Sequence, residues 1–153
     1  EGIGPVKSQF IIKALTDNKN RSAASVRHVF SKYGGSLGSV MWNFDNKGVV
    51  RILSEELKNG LSDDFELELI DAGAEDIQKE DEGVAIYTKS ENLQKVKQFL
   101  DAKNIKTETA EIEYIAKEEA QLIDADKESV QKFIDELEND EDISDYYHNL
   151  ANL

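Results

Sequence analysis

The residues of this sequence that are best suited to chemistry are lysines and arginines near its amino end. Residues 1–53 contain eight Lys or Arg and three acids, a net charge of +5, whereas residues 54–153 contain ten bases and twenty-nine acids, a net charge of −19. Ammonium and guanidinium groups attract phosphates, and an excess of carboxylates repels them. The charge distribution therefore predicts that any contact with a polyanion is made by the amino-terminal part of the chain.

Five of these basic residues are candidate nucleic-acid-binding residues: Lys19, Arg21, Arg27, Lys32 and Lys47. Positions 21, 27 and 32 span about three turns of a predicted helix without sharing one strict face, so they would frame a patch rather than a stripe. A phosphate contact requires that acids from elsewhere in the chain leave this patch unneutralised. The alternative is that these residues are ordinary solvated surface charges.

No residue pattern in the chain indicates catalysis. The glycine-rich segment Gly34–Ser39 follows a predicted helix and precedes a strand, whereas a phosphate-binding loop leads from a strand into a helix N-terminus. The two histidines, His28 and His148, lack a recognisable nucleophile and an orienting partner. The acidic run Asp140–Asp142 lacks the alternating ligands and the glycine of a calcium loop.

Cysteine is absent, which excludes thiol catalysis, thiolate metal sites and disulfides and fits an intracellular protein. We therefore expect no enzyme activity, no catalytic residues, no cofactor, no bound metal and no small-molecule substrate.

The length and composition are typical of a folded protein with one ordinary domain or two small ones. The chain has 153 residues, of which 39% are hydrophobic, and no apolar run approaches the roughly 20 residues needed to span a bilayer. We expect a soluble protein with no membrane partner. Because the chain opens at Glu1 without an initiator Met, it is interpreted as a fragment or a processed form.

The first 53 residues predict the order strand, helix, strand, strand. Residues 6–15 form a mostly apolar run of strand length, and a helix capped by Asn20 or Ser22 extends to Tyr33. Two short apolar runs, 39–44 and 49–53, are separated by Asp45-Asn46-Lys47-Gly48. Its glycine suits the left-handed position of a turn, so this segment predicts a β-hairpin.

The remaining residues predict a second set of elements and a closing helix and strand. A helix begins after Ser62 and ends at Gly73, and another begins near Ser90 and ends at Asn104. The other predicted elements are strands 74–77, 84–88 and 110–114, helix 126–138 and strand 143–148. The fold class is therefore α+β, with two small ferredoxin-like α/β sandwich domains, the second inserted into the first. The predicted domains are 1–53 plus 124–153 (βαββ…αβ) and an acidic insertion at 54–123 (αββαβ), with boundaries near Ser54 and Ile123.

Several segments closely resemble the YebC/PmpR family in order and approximate spacing. They are Leu15–Ser22, Val26–Gly38, Ser39–Phe44, Lys47–Val49, Ala72–Ile77 and Tyr146–Asn149. The resemblance implies a protein of three domains: a basic N-terminal helical domain, followed by two α+β domains of which the last is inserted into the middle one. This sequence departs from the family in two ways, since it lacks the helical domain and has fewer residues between Gly38 and Ser39.

The resemblance also implies a function. Family members are described as DNA-binding transcriptional regulators in bacteria, and some are linked to translation on bacterial and mitochondrial ribosomes. We therefore expect a non-enzymatic regulator of gene expression that contacts DNA or ribosomal RNA through phosphates, with the ribosome as a further candidate partner. Its expected location is the bacterial cytoplasm or the mitochondrial matrix.

Shape and charge would dominate the contact, because the basic segment lacks interleaved exposed aromatic residues. The alternative is an acidic protein-interaction module that docks basic partners without touching nucleic acid.

Overall fold

The computed structural model describes all 153 residues, which form four helices and eight strands in two compact units. The first unit comprises Glu1–Asp45 and Tyr114–Leu153, and the second comprises Asn46–Glu113. Each unit has one four-stranded antiparallel sheet and two helices. The predicted fold class, α+β with two small α/β units, is confirmed. None of the four helices is both long enough and apolar enough to cross a membrane.

The strands are β1 (Gly2–Ile3), β2 (Gln9–Ala14), β3 (Ser36–Leu37), β4 (Phe44–Leu53), β5 (Ala74–Lys79), β6 (Gly83–Lys89), β7 (Thr109–Ala116) and β8 (Ile143–His148). The helices are α1 (Lys19–Lys32), α2 (Asp63–Ala72), α3 (Leu93–Ala102) and α4 (Asp124–Glu138).

The first unit is built on a sheet with the strand order β3-β1-β2-β8. Because side chains alternate along a strand, Phe10 and Ile12 of β2 face one side of the sheet and Ile11 faces the other. Helices α1 and α4 cover the Phe10 side. Phe10, Phe30 and Phe133 are fully buried there, and the Phe133 ring meets the other two edge-on at centroid distances of 4.9 and 5.0 Å. This aromatic core fixes α1 and α4 against the sheet.

The other side of the same sheet is covered by a turn that follows β3. Met41–Asn43 forms a 3-10 turn, and its last residue, Asn43, is buried. The Asn43 amide donates to Gln9 Oε1 at 2.6 Å and to the Glu118 carbonyl at 2.9 Å, and its oxygen accepts from the Glu118 N–H at 2.9 Å. Because every polar group of this buried amide has a partner, Asn43 holds the turn in place without a desolvation penalty.

Strand β4 corrects the predicted hairpin. Phe44–Leu53 is one continuous strand, and from Lys47 opposite Lys89 to Leu53 opposite Gly83 it pairs with β6 in a single register. Gly48 does not have a positive φ angle, so it is not a turn residue. A Cβ atom at this position would collide with the Thr88 hydroxyl and lie 2.9 Å from Leu93 Cβ. Glycine is required there by close packing rather than by a turn.

With β4 as its first strand, the second unit has the element order βαββαβ and the strand order β5-β6-β4-β7, which is the ferredoxin-like arrangement. Its buried core lies between the sheet and the two helices, and includes Val50, Ile52, Leu69, Ile86, Val96 and Leu100. The division between the units falls inside β4 and inside β7, whereas the sequence placed it near Ser54 and Ile123. The prediction split β4 at Gly48 and thereby left the second unit without its first strand.

Three of the predicted helix ends in the second unit are confirmed, but Ser90 does not cap α3, because it opens a 3-10 turn (Ser90–Asn92) and donates to the Asn46 carbonyl at 3.2 Å. The Ser62 hydroxyl caps α2 by accepting from the Phe65 N–H at 3.2 Å, and Gly73 ends this helix in the left-handed conformation. Asn104, with a φ of 58°, follows the end of α3. These residues satisfy helix-end groups that would otherwise lack partners.

Candidate nucleic-acid interface

Helix α1 positions four of the five candidate residues. It begins at Lys19 because the Asn18 side chain accepts a hydrogen bond from the Arg21 N–H at 3.1 Å. Its inward stripe consists of Ser22, Val26, Val29 and Phe30, spaced by three and four residues, so the basic side chains of the helix lie at its flanks and outer surface. The fifth candidate, Lys47, lies on β4 in the second unit.

One flank of α1 faces acids from the carboxy-terminal part of the first unit. Arg21, Ser25 and Lys32 are separated by four and seven residues, a spacing that places them on the same side of a helix. Each contacts an acid of the carboxy-terminal part: Asp142, Asp140 and Glu136, respectively. The acids therefore follow the basic flank from one end of α1 to the other.

Arg21 makes the most extensive of these contacts. Its Nη2 atom lies 2.9 and 3.0 Å from the two carboxylate oxygens of Asp142, and its Nε donates to Asp142 Oδ2 at 3.3 Å. A further ion pair joins Arg21 Nη2 to Asp17 at 3.2 Å. The Ser22 hydroxyl also donates to Asp142 Oδ2, at 2.7 Å. Such a fork-shaped arrangement uses the donors that a phosphate would otherwise engage.

Lys32 and Lys47 are also ion-paired. The Lys32 ammonium donates to Glu136, which accepts a second hydrogen bond from the Tyr33 hydroxyl at 2.7 Å. Lys32 also lies 5.6 Å from the centroid of the Tyr33 ring. Lys47 pairs with Glu75 at 3.5 Å within the second unit. Both lysines thus have acidic neighbours that reduce their attraction for an outside anion.

The pKa values of these acids are displaced in the direction that maintains the pairing. Hydrogen bonds from Ser22 and then Arg21 hold the pKa of Asp142 below its usual value. Hydrogen bonds from Lys32 and then Tyr33 lower the pKa of Glu136. Both carboxyl groups are therefore ionised at neutral pH. A phosphate contact requires basic residues that acids of the chain do not neutralise. Arg21, Lys32 and Lys47 do not meet this requirement.

Lys19 and Arg27 do meet this requirement. Both side chains are exposed and neither forms an ion pair or a hydrogen bond. They are eight residues apart, which corresponds to about 12 Å along the helix axis and about 80° around it. The first turn of α1 contains no acidic residue. These two cations, which we call the open pair, are the part of the predicted patch available to an external anion.

The charge of each unit limits how strongly it attracts an anion. Counted over its two segments, the first unit has nine bases and fifteen acids, a net charge of −6, and the second has nine bases and seventeen acids, a net charge of −8. Neither unit is basic as a whole. Attraction to phosphate is therefore local to exposed cations without an ion pair, which within the predicted patch are the open pair, because charges farther away than the Debye length, about 8 Å at physiological salt, are largely screened.

Trp42 is an exposed residue that the sequence did not indicate. Its side chain is 62% exposed, and its indole N–H donates to the Ser39 carbonyl at 3.1 Å. A single exposed ring does not form the interleaved aromatic platform whose absence the sequence predicts. The run Ser39–Phe44 has strand composition, which predicts burial, but it forms the 3-10 turn instead. The one available signal in the sequence was that Met41 and Trp42 are adjacent. Two adjacent apolar side chains cannot both face the core from a strand that is buried on one side only.

Gly34, Gly35 and His148 have structural roles. Gly34 has a φ of 75°, and the Gly35 N–H donates to the Phe30 carbonyl at 2.8 Å, which confirms that α1 ends at this pair. His148 packs on Phe10, and its Nδ1 accepts from the Leu150 N–H at 3.2 Å. Burial lowers the pKa of His148 and favours its neutral form. No group of three or more acids and histidines is arranged to hold a metal ion.

The fold is that of an α+β protein in which a ferredoxin-like unit interrupts the sequence of a second sheet-and-helix unit. Comparison with known families identifies it further: the chain belongs to the family described as TACO1/YebC second and third domain, whose model matches residues 1–150. The resemblance to the YebC/PmpR family is confirmed.

Relatives of the chain are bacterial proteins of greater length. It is 41% identical to a probable transcriptional regulatory protein of Thermoanaerobacter pseudethanolicus and 43% identical to one of Bacillus licheniformis. Both matches cover 98% of this chain, and they cover 61% and 63% of the relatives. The chain thus spans about six-tenths of the length of these curated relatives.

A solved structure gives the same fold. The crystal structure of a conserved hypothetical protein from Aquifex aeolicus matches with a TM-score of 0.84 and 33% identity over 98% of this chain and 62% of that one.

Proposed function

We propose that this chain is part of a YebC-type regulator of gene expression that acts by binding nucleic acid and not by catalysis. The observation that supports this proposal is the open pair, Lys19 and Arg27, on the surface of α1 in a family whose relatives are named as transcriptional regulators. Each of these exposed cations is free of ion pairs and can replace a counterion at one phosphate.

The expected contact is electrostatic and independent of sequence. Each phosphate neutralised on duplex DNA contributes about −0.9 to the slope of log K against log salt concentration. Contacts by Lys19 and Arg27 therefore predict a slope of about −1.8 for this chain. Such binding is weak by itself, and it serves to orient a larger protein on its target rather than to select a base sequence.

Both DNA and structured RNA present the phosphates that this surface would contact. The proposal includes a transcriptional form, with a promoter as target, and a translational form, with ribosomal RNA as target and the ribosome as partner. The corresponding location is the bacterial cytoplasm or the mitochondrial matrix. Binding of the chain to a DNA duplex and to an RNA hairpin, measured side by side at equal salt, distinguishes the two forms.

The test is charge reversal of the open pair, Lys19→Glu with Arg27→Glu. Binding of a fluorescent DNA duplex and of an RNA hairpin is measured by anisotropy at several salt concentrations. We expect the slope to fall from about −1.8 towards zero and the affinity at low salt to fall by about tenfold or more.

The matched control is Lys79→Glu with Lys89→Glu, two exposed and unpaired lysines of the second unit that give the same change in net charge. An equal loss in this control would attribute binding to the charge of the whole molecule and overturn the assignment to α1.

A second candidate function is an acidic protein-interaction module. It is favoured by the ion pairs that neutralise three of the five candidate cations and by the net charge of −8 on the second unit. Under this proposal the chain binds basic proteins and has no measurable affinity for either nucleic-acid probe. The affinity of the chain for a basic protein would then fall with salt concentration, and no binding of DNA or RNA would be measured.

A further inference from the structure

Helix α2 of the second unit has an apolar surface on its solvent side. Phe65, Leu69 and Ala72, spaced by four and three residues, face the core of the unit. Leu67 and Ile70 point away from that core and are 60% and 53% exposed. Because they are three residues apart, their side chains are neighbours on the outer surface of the helix. A single exposed apolar residue needs no explanation, but two neighbouring apolar residues on one helix face form a candidate contact surface.

Acids surround this apolar pair. The ten residues of α2 include five acids and no base: Asp63, Asp64, Glu66, Glu68 and Asp71. Only Glu68 has a basic partner, Lys103, and the other four carboxylates form no ion pair. Helix propensity alone does not require this composition, since lysine and glutamine are equally good helix formers. An apolar centre with an acidic rim is complementary to a surface that has an apolar centre and a basic rim.

A groove between α2 and α3 begins at Asp71, one helical turn from Leu67. It has a volume of about 500 Å³ and is lined by Glu68, Asp71 and Ala72 on the α2 side and by Lys95, Gln98 and Phe99 on the α3 side. An alkyl stem can lie along the Phe99 ring while its charged end reaches Asp71. The α2 side of the groove thus offers acidic contacts next to the Phe99 ring, while Lys95 repels a second cation from the α3 side.

The chain itself contains an example of this kind of contact next to the groove. The Lys103 ammonium lies 5.9 Å from the centroid of the Phe65 ring and 5.2 Å from that of the Phe99 ring, and it pairs with Glu68. Two rings and one carboxylate therefore already hold a cation between α2 and α3. A cation from a partner would meet the other side of Phe99 and the unpaired Asp71.

We propose that the outer face of α2, with Leu67 and Ile70 at its centre, docks a basic amphipathic segment of a partner protein. A second copy of this chain is a poor occupant, because two α2 faces would bring ten carboxylates together. Nucleic acid is a poor occupant for the same reason. The inference rests on the second candidate function, whose contact with basic proteins it places on α2, and it does not depend on the proposed nucleic-acid contact.

The experiment uses the whole chain and three labelled peptides of equal length. The first has leucine and lysine in an amphipathic helical pattern, the second has glutamate in place of lysine, and the third has serine in place of leucine. We expect the leucine-lysine peptide to bind about tenfold more tightly than the serine-lysine peptide, and the glutamate peptide not to bind. NMR shift changes caused by the first peptide should be confined to α2 and α3.

The variant that tests the surface is Leu67→Ser with Ile70→Ser. Both side chains are exposed, so the fold should be retained, and circular dichroism checks this. We expect the affinity for the leucine-lysine peptide to fall about tenfold. The matched control is Leu15→Ser with Ile123→Ser, which removes two exposed apolar residues of the first unit that are 82% and 65% exposed. This control should change the affinity by less than about twofold.

Three outcomes would overturn the proposal. The control variant Leu15→Ser with Ile123→Ser could lower the affinity for the leucine-lysine peptide as much as the α2 variant does, which would show non-specific binding. The unmodified chain could self-associate in sedimentation and lose this property in the α2 variant, which would make a second copy the occupant. The α2 variant could lose DNA or RNA binding instead of peptide binding. The nucleic-acid proposal can fail independently of this one, because Lys19→Glu with Arg27→Glu tests only nucleic-acid binding and should leave the affinity for the peptide unchanged.

Discussion

Removing the acids that face α1 should strengthen nucleic-acid binding. The perturbation is Asp142→Asn with Glu136→Gln, which retains the size of both side chains and removes their charges. Arg21 and Lys32 are the partners of these acids, and both are more than half exposed at the side chain, so they can turn outward once the pairing is lost. Arg21 keeps only its pair with the exposed Asp17, a surface ion pair weak enough for a phosphate to displace, so the number of cations available on α1 would rise from two to four.

The magnitude follows from counterion release. Two phosphate contacts predict a slope of about −1.8 for log K against log salt, and four predict about −3.6. Between 50 and 200 mM salt, the variant should therefore lose roughly 150-fold in affinity where the parent loses roughly 12-fold. At the low-salt end the variant should bind more tightly than the parent. Anisotropy with the same DNA duplex over this salt range measures both quantities.

The control for this prediction is Glu119→Gln with Glu141→Gln. These acids are exposed, belong to the first unit, have no basic partner and give the same change in net charge. If the control steepens the slope as much as the paired-acid variant does, or if neither variant changes it, then Arg21 and Lys32 are not masked phosphate ligands and the reasoning is refuted. Thermal melting of each variant separates a change in binding from loss of the fold.

Two further predictions concern stability. The pKa values of Asp142 and Glu136 are lowered in the folded state, so their contribution to stability is present above their unfolded values, about 4, and is lost as the pH falls through the folded values. The parent should therefore lose more stability between pH 5 and pH 3 than Asp142→Asn with Glu136→Gln, as measured by urea unfolding. Gly48→Asn should destabilise the second unit by about 1–3 kcal/mol, because the side chain would overlap Thr88 and Leu93. Unchanged thermal stability in this variant would instead support a turn at Gly48, where asparagine is well tolerated.

Much of the fold could be predicted because local signals agreed with the tertiary structure. Ser62 and Gly73 mark the ends of α2, and apolar residues at helical spacing define the buried sides of α1 and α4. Gly48 misled the prediction because a glycine after Asp45-Asn46-Lys47 has the composition of a turn. Its actual role depends on Thr88 and Leu93, about forty residues away in sequence. Local turn propensity contains no information about such a neighbour.

The candidate site was less predictable for the same physical reason. The sequence located the cations of α1, and the structure leaves Lys19 and Arg27 open. It did not indicate that Arg21 would meet Asp142, which is 121 residues away. The acidic run near residue 140 is visible in the sequence, but only the packing of α4 beside α1 and the pairing of β8 with β2 bring it to the basic flank. A charge pattern identifies candidate partners, and the fold decides which of them neutralise one another.

The position of β8 has a consequence for experiments on this chain. β8 is the outermost strand of its sheet and covers the hydrogen-bonding edge of β2, which contains Phe10, Ile11 and Ile12 in succession. If β8 detached, this apolar strand would offer unpaired amide and carbonyl groups to any other chain, a common route to amyloid-like association. Asp145, within β8, puts a charge on the strand that now occupies the edge and discourages such growth. Substitutions after residue 142 should therefore be screened for aggregation before any loss of binding is attributed to the binding surface.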